Sequence, residues 1–141
     1  MTDKHKKVVL VGGCFDILHP GHILFLKKAR EQGDKLIVLL ESDQKIKELK
    51  GKDRPFFSQK ERAEVLKGIK YVSQVISLPF MRRDADYEKI IKSLKPDIIA
   101  ATYGVSDNYH KERIAHLVGA KIKYVTKIIG DYSTTNILTK N

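Results

Sequence analysis

A chain of 141 residues suits one compact domain with a substantial core and is short for two full-sized ones, so a single domain over 1–141 with one active site is expected. Against 17 Asp and Glu stand 27 Lys and Arg, a formal charge of +10 that favours anionic partners, phosphates or nucleic acid, and their scatter along the chain counts against a nucleic-acid binder. The lone cysteine, Cys14, excludes an internal disulfide, and the opening MTDKHKK lacks the apolar centre of a secretory signal, so reducing cytosol is the expected compartment.

A first strand is predicted at 7–13 (KVVLVGG) and a helical pattern at 21–32. The next strand, 35–40 (KLIVLL), holds the longest purely apolar run, far below the ~20 residues that span a bilayer. Helical patterns follow at 42–50 and 58–69, the second opened by Ser58 with Glu61 three residues on, the spacing of a capping box. Then come a strand at 71–78, a helix at 85–94, a strand at 96–101, a helix at 109–118, a strand at 121–126 and a short helix after Ser133. Strands alternating with helices imply right-handed crossovers and an open α/β fold, a five-stranded, mostly parallel sheet with helices on both faces. Ligands in such sheets bind beyond the carboxyl ends of the strands, so the loops 12–21 and 102–108 are the places where a site is expected.

The first of these loops carries the strongest signal, GGCFDILHPGH over 12–22. It has neither the GxxxxGK[ST] pattern nor the Rossmann glycine spacing. What it has is His19 and His22 at a helix start, where backbone amides and the helix dipole already favour an anion, with Gly21 between them allowing close approach to the backbone. As zinc ligands the histidines lack a nearby cysteine or histidine to complete a set, and alone they would be ordinary turn residues.

GGCFDILHPGH resembles the GxFDxxHxGH signature of the cytidylyltransferase-like nucleotidyltransferases, a Rossmann-like family, and the similarity extends over nearly the whole chain. The resemblance implies transfer of a nucleoside monophosphate unit from a triphosphate to a phosphorylated small molecule, with pyrophosphate released and magnesium carried with the nucleotide. It also implies that His19 and His22 contact the triphosphate and stabilise its transition state. Lys50, in ELKGKDRP (48–55), takes the place of the family's lysine; Arg62, in SQKERAEVL (58–66), that of its helix arginine; and Ser133, Thr134 and Thr135, in YSTTNILTK (132–140), that of its STT element. Gly13, Cys14, Phe15, Asp16 and Gly21 complete the expected nucleotide site from the first loop, with Asp16 either reaching magnesium through water or bracing the loop, and Cys14 read as a packed residue rather than a nucleophile. Gly104 and Asp107 are expected to border the nucleotide from ATYGVSDNYH (101–110), a loop that departs from the relatives' glycine–aspartate pattern. Class I aminoacyl-tRNA synthetases share a related HIGH element but need tRNA-binding parts for which 141 residues leave no room.

Within the family, FDILHPGH, LKGKDRP and STTNI are most similar to the adenylyltransferase branch that makes ADP-heptose for lipopolysaccharide core synthesis, which implies ATP and a sugar 1-phosphate. Glycerol-3-phosphate cytidylyltransferases carry an arginine five residues before the serine of the STT element, where this chain has Ile128. Archaeal FAD synthetases share the LKG segment but have a cysteine-containing tail. A homodimer is implied because relatives commonly pair; neither a nucleic-acid nor a membrane partner is expected.

Overall fold

The computed structural model describes residues 5–105 and 108–127. Five strands and five helices alternate along them, as β1 (Val8–Gly13), α1 (Pro20–Arg30), β2 (Lys35–Leu40), α2 (Asp43–Lys50), α3 (Gln59–Lys67), β3 (Gln74–Ser77), α4 (Asp84–Leu94), β4 (Ile98–Tyr103), α5 (Asn108–Val118) and β5 (Lys121–Lys127). The strands form one sheet in the order β3-β2-β1-β4-β5, and every pairing is parallel. The α/β class expected from the alternation holds, with the sheet parallel throughout rather than mostly so.

Parallel strands buried on both faces need apolar side chains in both directions, which explains the unbroken runs in β1 and β2. Val9, Val11, Leu36, Val38 and Leu40 point to one core, filled by Phe25, Leu26 and Ala29 of α1 and by Ala63 and Leu66 of α3. Leu10, Ile37 and Leu39 point to the other, closed by Ile91 of α4 and by Ile114 and Ala115 of α5.

The strand order reverses at β1, and there the sheet also opens. β1 pairs with β2 from Val8–Lys35 to Gly13–Leu40. With β4 it pairs only at Val9–Ile98 and Leu10–Ile99, so the two strands part toward their carboxyl ends. A parallel sheet offers its ligand crevice at such a switch point.

Two boundaries differ from the sequence pattern. The apolar run 71–78 yields only a four-residue β3, because Val72 donates its amide to the Ile69 carbonyl at 3.0 Å and closes a turn there; pairing starts only with the Ser73 amide on Leu36. β4 runs two residues past 101, to Tyr103, through an irregularity at Ala101/Thr102 where the Thr102 and Thr126 hydroxyls meet at 3.0 Å. Among the described residues no helix is long and apolar enough to cross a membrane. The short helix expected after Ser133 lies outside the described residues, as do Asp107, Ile128, Thr134 and Thr135.

Candidate active site

At the carboxyl end of β1 the chain must leave the sheet and enter α1 in six residues, and Gly13 and Phe15 fix how it does so. Gly13 admits no side chain, since a Cβ there would lie 2.9 Å from the Phe15 ring. Phe15 itself adopts φ +45°, a costly conformation for a bulky residue, and thereby turns its ring down into the core beneath the loop. The aromatic ring is buried and packs under His22 at 5.3 Å, so the Phe15 side chain supports the site from below.

His19 is the N-cap of α1, with Pro20 in the first turn where its missing amide costs nothing. Its Nδ1 accepts from the Gly21 amide at 3.1 Å, which leaves the neutral ring its proton on Nε2. The Gly21 amide is thus engaged within the cap. His22, one turn in, stacks on His19 with centroids 3.8 Å apart and planes at 26°. Burial pushes His22 down to about 4, with the His19 and Lys50 charges adding to the fall and the Ile17 carbonyl opposing it; burial lowers His19 too. Both imidazoles are neutral at pH 7 without a ligand.

Lys50 closes α2, where Gly51 at φ +109° releases the chain into 51–58. The Lys50 ammonium is exposed, and its charge is felt at both His22 and Cys14. The structure therefore brings His19, His22 and Lys50 to one place, as the sequence implied. Burial raises the Cys14 thiol above its usual range, although Lys50 pulls the other way, and the group stays protonated.

Two residues expected at the nucleotide site, Asp16 and Arg62, brace its loops. Asp16 is buried and accepts from Arg54 Nε at 2.8 Å and from the amides of Phe56 at 2.8 Å and Phe57 at 3.1 Å. Burial alone would raise its carboxyl, but those two amides and the Arg54 guanidinium hold it below the usual range. Arg62 has no exposed side-chain surface. Its Nε donates to the Phe57 carbonyl at 3.0 Å, Nη1 to the Cys14 and Glu41 carbonyls at 2.7 and 3.0 Å, and Nη2 to Asp43 at 2.7 Å. An arginine turned inward on three loops offers a ligand nothing; it pins the β1, β2 and 51–58 loops to α3, whose capping box at Ser58 and Glu61 forms as expected.

Gly104 follows β4 at φ +89° and is exposed beside the crevice. Asn108 closes that loop by donating from Nδ2 to the Thr102 carbonyl at 2.8 Å. Sequence reasoning passed over Asn108, Arg54, Asp43, Glu41 and Tyr87; of these only Asp43, beside the N-cap Ser42 of α2, had a local signal. Tyr87 of α4 donates to both carboxylate oxygens of Glu41, at 3.0 and 2.9 Å. Among the described residues no three His, Cys, Asp or Glu side chains gather closely enough to hold a metal ion. With Asp16 engaged elsewhere, the described groups do not fit a protein-held cation site.

A family model described as Cytidylyltransferase-like matches residues 10–140. The chain is 40% identical over 135 residues to the bifunctional protein HldE of Helicobacter hepaticus, covering 96% of this chain and 26% of that protein. It is 49% identical over 100 residues to the FAD synthase of Thermococcus sibiricus, covering 71% of this chain and 65% of that one. Of solved structures, the lipopolysaccharide core biosynthesis protein from Thermoplasma volcanium GSS1 is similar at a TM-score of 0.70 and 28% identity, over 92% of this chain and 100% of that one. The chain spans about a quarter of the length of the HldE proteins it matches.

Proposed function

Because the chain belongs to the cytidylyltransferase-like family of nucleotidyltransferases, we propose that it transfers an adenylyl unit from ATP to a sugar 1-phosphate such as heptose 1-phosphate, releasing pyrophosphate. The observation that carries the reading is the stacked His19–His22 pair at the start of α1, with the Lys50 charge beside it, at the sheet's switch point. The acceptor phosphate, with a second pKa of about 6, is already ionised at neutral pH and needs no general base. One of its oxygens forms a bond to the α-phosphorus as the bond to the pyrophosphate oxygen breaks, and the chain's task is positioning and charge stabilisation. His19 Nε2–H and the His22 ring are the directed donors, Lys50 supplies the fixed charge, and Ser133, Thr134 and Thr135 are proposed to add hydroxyls. Magnesium is proposed to arrive with the triphosphate, held by phosphate oxygens and water.

The similarity to a lipopolysaccharide core biosynthesis protein supports the sugar acceptor. The FAD synthase relative favours a second reading in which FMN is the acceptor and ATP remains the donor. Two copies are proposed to pair, as members of the family commonly do. The cytosol is the proposed compartment, as a protonated free thiol suits. The test is pyrophosphate release with ATP or CTP against heptose 1-phosphate, glucose 1-phosphate, glycerol 3-phosphate and FMN. Turnover with ATP and a sugar 1-phosphate is expected; faster turnover with CTP and glycerol 3-phosphate would overturn both choices.

A further inference from the structure

Beyond the histidines, the crevice has a second polar group whose make-up suits a different part of the ligands. Along β2 the side chains of Ile37 and Leu39 face the α4/α5 core, and Glu41 follows on the same alternation just past the strand's end. Across from Leu39 sits Gly12, exposed and without a side chain, so the floor beside Glu41 is open. Tyr87 reaches up from α4 and fixes both Glu41 oxygens. Lys45 Nζ lies 5.6 Å from the centre of the Tyr87 ring and 5.4 Å from that of Phe80, and the Arg82 guanidinium lies 4.9 Å from the centre of the Phe80 ring. The group is continuous with the histidine site, because the Glu41 and Lys50 charges both act on Cys14, and Lys50 acts also on His22.

A carboxylate in a crevice built for phosphates is unfavourable toward the triphosphate, and in a chain of net charge +10 it stands out. What a carboxylate held by a phenol recognises well is a hydroxyl. It accepts at about four lone-pair positions, and the Tyr87 hydroxyl fixes how they are oriented. The cations flanking Phe80 offset the Glu41 charge and keep the surface attractive to an anionic molecule.

The geometry points to Glu41, positioned by Tyr87, as the residue that selects the acceptor, a polyhydroxylated phosphate monoester whose hydroxyls bind the Glu41 carboxylate while its phosphate lies toward Lys50 and the histidines. This rests on the reading that the acceptor is a phosphorylated small molecule. Phe80 then forms the apolar wall against the carbon skeleton, and Tyr87 is a positioning residue that touches Glu41 and not the reacting atoms.

The test measures KM and kcat for the wild type, Glu41→Gln, Glu41→Ala and Tyr87→Phe with ATP and glucose 1-phosphate, heptose 1-phosphate, glycerol 3-phosphate or FMN. Ethyl phosphate serves as the hydroxyl-free comparison, and titration with a non-hydrolysable ATP analogue reads nucleotide affinity separately. In Glu41→Ala the acceptor KM should rise about tenfold to a hundredfold, the preference over ethyl phosphate should collapse, and nucleotide affinity should stay within about threefold of wild type. The isosteric Glu41→Gln should show the same pattern more weakly and covers the case in which alanine does not fold. Tyr87→Phe should raise the acceptor KM while leaving kcat near wild type. Unchanged preference over ethyl phosphate in both Glu41 variants, or an equal loss of nucleotide affinity, would overturn the assignment alone. A wild-type enzyme that uses none of the hydroxylated phosphates would overturn the acceptor class itself, and the assignment with it.

Discussion

The imidazole of His19 lies on that of His22 with centroids 3.8 Å apart, while its Nδ1 holds the Gly21 amide at 3.1 Å. His19 therefore caps α1 and, in the proposed reaction, also donates to the triphosphate, and substitutions can separate the two roles. His22→Ala should leave stability near wild type or higher and lower turnover by ~10²–10³, the scale for losing one transition-state donor. His19→Ala should lose turnover and also about 1 kcal/mol of stability with the cap. His19→Asn restores a capping oxygen, so it should recover the stability and not the turnover. Urea unfolding alongside kcat reads both; wild-type turnover in His19→Asn and His22→Ala would refute the catalytic role.

Burial of His22 makes stability depend on pH in a defined direction. Its folded value is about 4 against 6.5 for the free side chain, so between these the unfolded chain binds more protons and stability falls as pH falls. Above pH 6.5 the contribution is fully present; below about 4 it is gone, a loss of roughly 3 kcal/mol for this group. His22→Asn should flatten the slope of unfolding free energy across that window. Triphosphate binding should do the reverse, because the ligand's charge favours the imidazolium and draws protons in. Calorimetric titration near pH 6 in two buffers of different ionisation enthalpy should show net proton uptake, and none would count against contact between phosphate and the histidines.

Asp16 is the keystone between the β1 loop and 54–57. Its side chain has no exposed surface, and Arg54 beside it is 9% exposed. Asp16→Ala removes the acceptor of Arg54 Nε and of the Phe56 and Phe57 amides, and should cost roughly 3–5 kcal/mol in urea unfolding. Were Asp16 mainly a route to magnesium, the variant would keep its stability and show only a raised magnesium requirement.

These residues also show what the sequence disclosed. The element order was legible because VVLVGG and KLIVLL must be buried on both faces and because Ser58 and Glu61 announce a helix start. His19, His22 and Lys50 were legible as a group through motif order. What could not be read was direction: whether Asp16 and Arg62 turn toward ligand or into the loops depends on partners most of which lie 19 to 48 residues away along the chain. Nor did local pattern link Glu41 to Tyr87, 46 residues apart, because that contact exists only once α4 packs on the sheet.

Cys14 sits between the two polar groups of the crevice, its thiol kept protonated by burial. A direct displacement forms no covalent enzyme intermediate, so Cys14→Ser should retain most activity. A nucleotidyl adduct on Cys14 seen by mass spectrometry would overturn the direct mechanism.

Arg62 separates bracing from binding most sharply. Its guanidinium donates to the carbonyls of Phe57, Cys14 and Glu41 and to the Asp43 carboxylate, in directions spread over a planar fork. Lysine keeps the charge but carries its donors on one atom, so Arg62→Lys cannot span the three loops and leaves buried carbonyls unpaired at about 1–3 kcal/mol each. The variant should therefore lower the unfolding midpoint, and hydrogen exchange at residues 14–16 and 56–58 should speed up. Triphosphate affinity should fall as a consequence, because the loop carrying His19 is no longer held. A residue that instead contacts phosphate directly would behave differently: affinity would drop while the unfolding midpoint and the exchange rates stayed at wild-type values. Measuring all three on the same preparation decides between them, and that second pattern would show that Arg62 turns outward when the nucleotide binds.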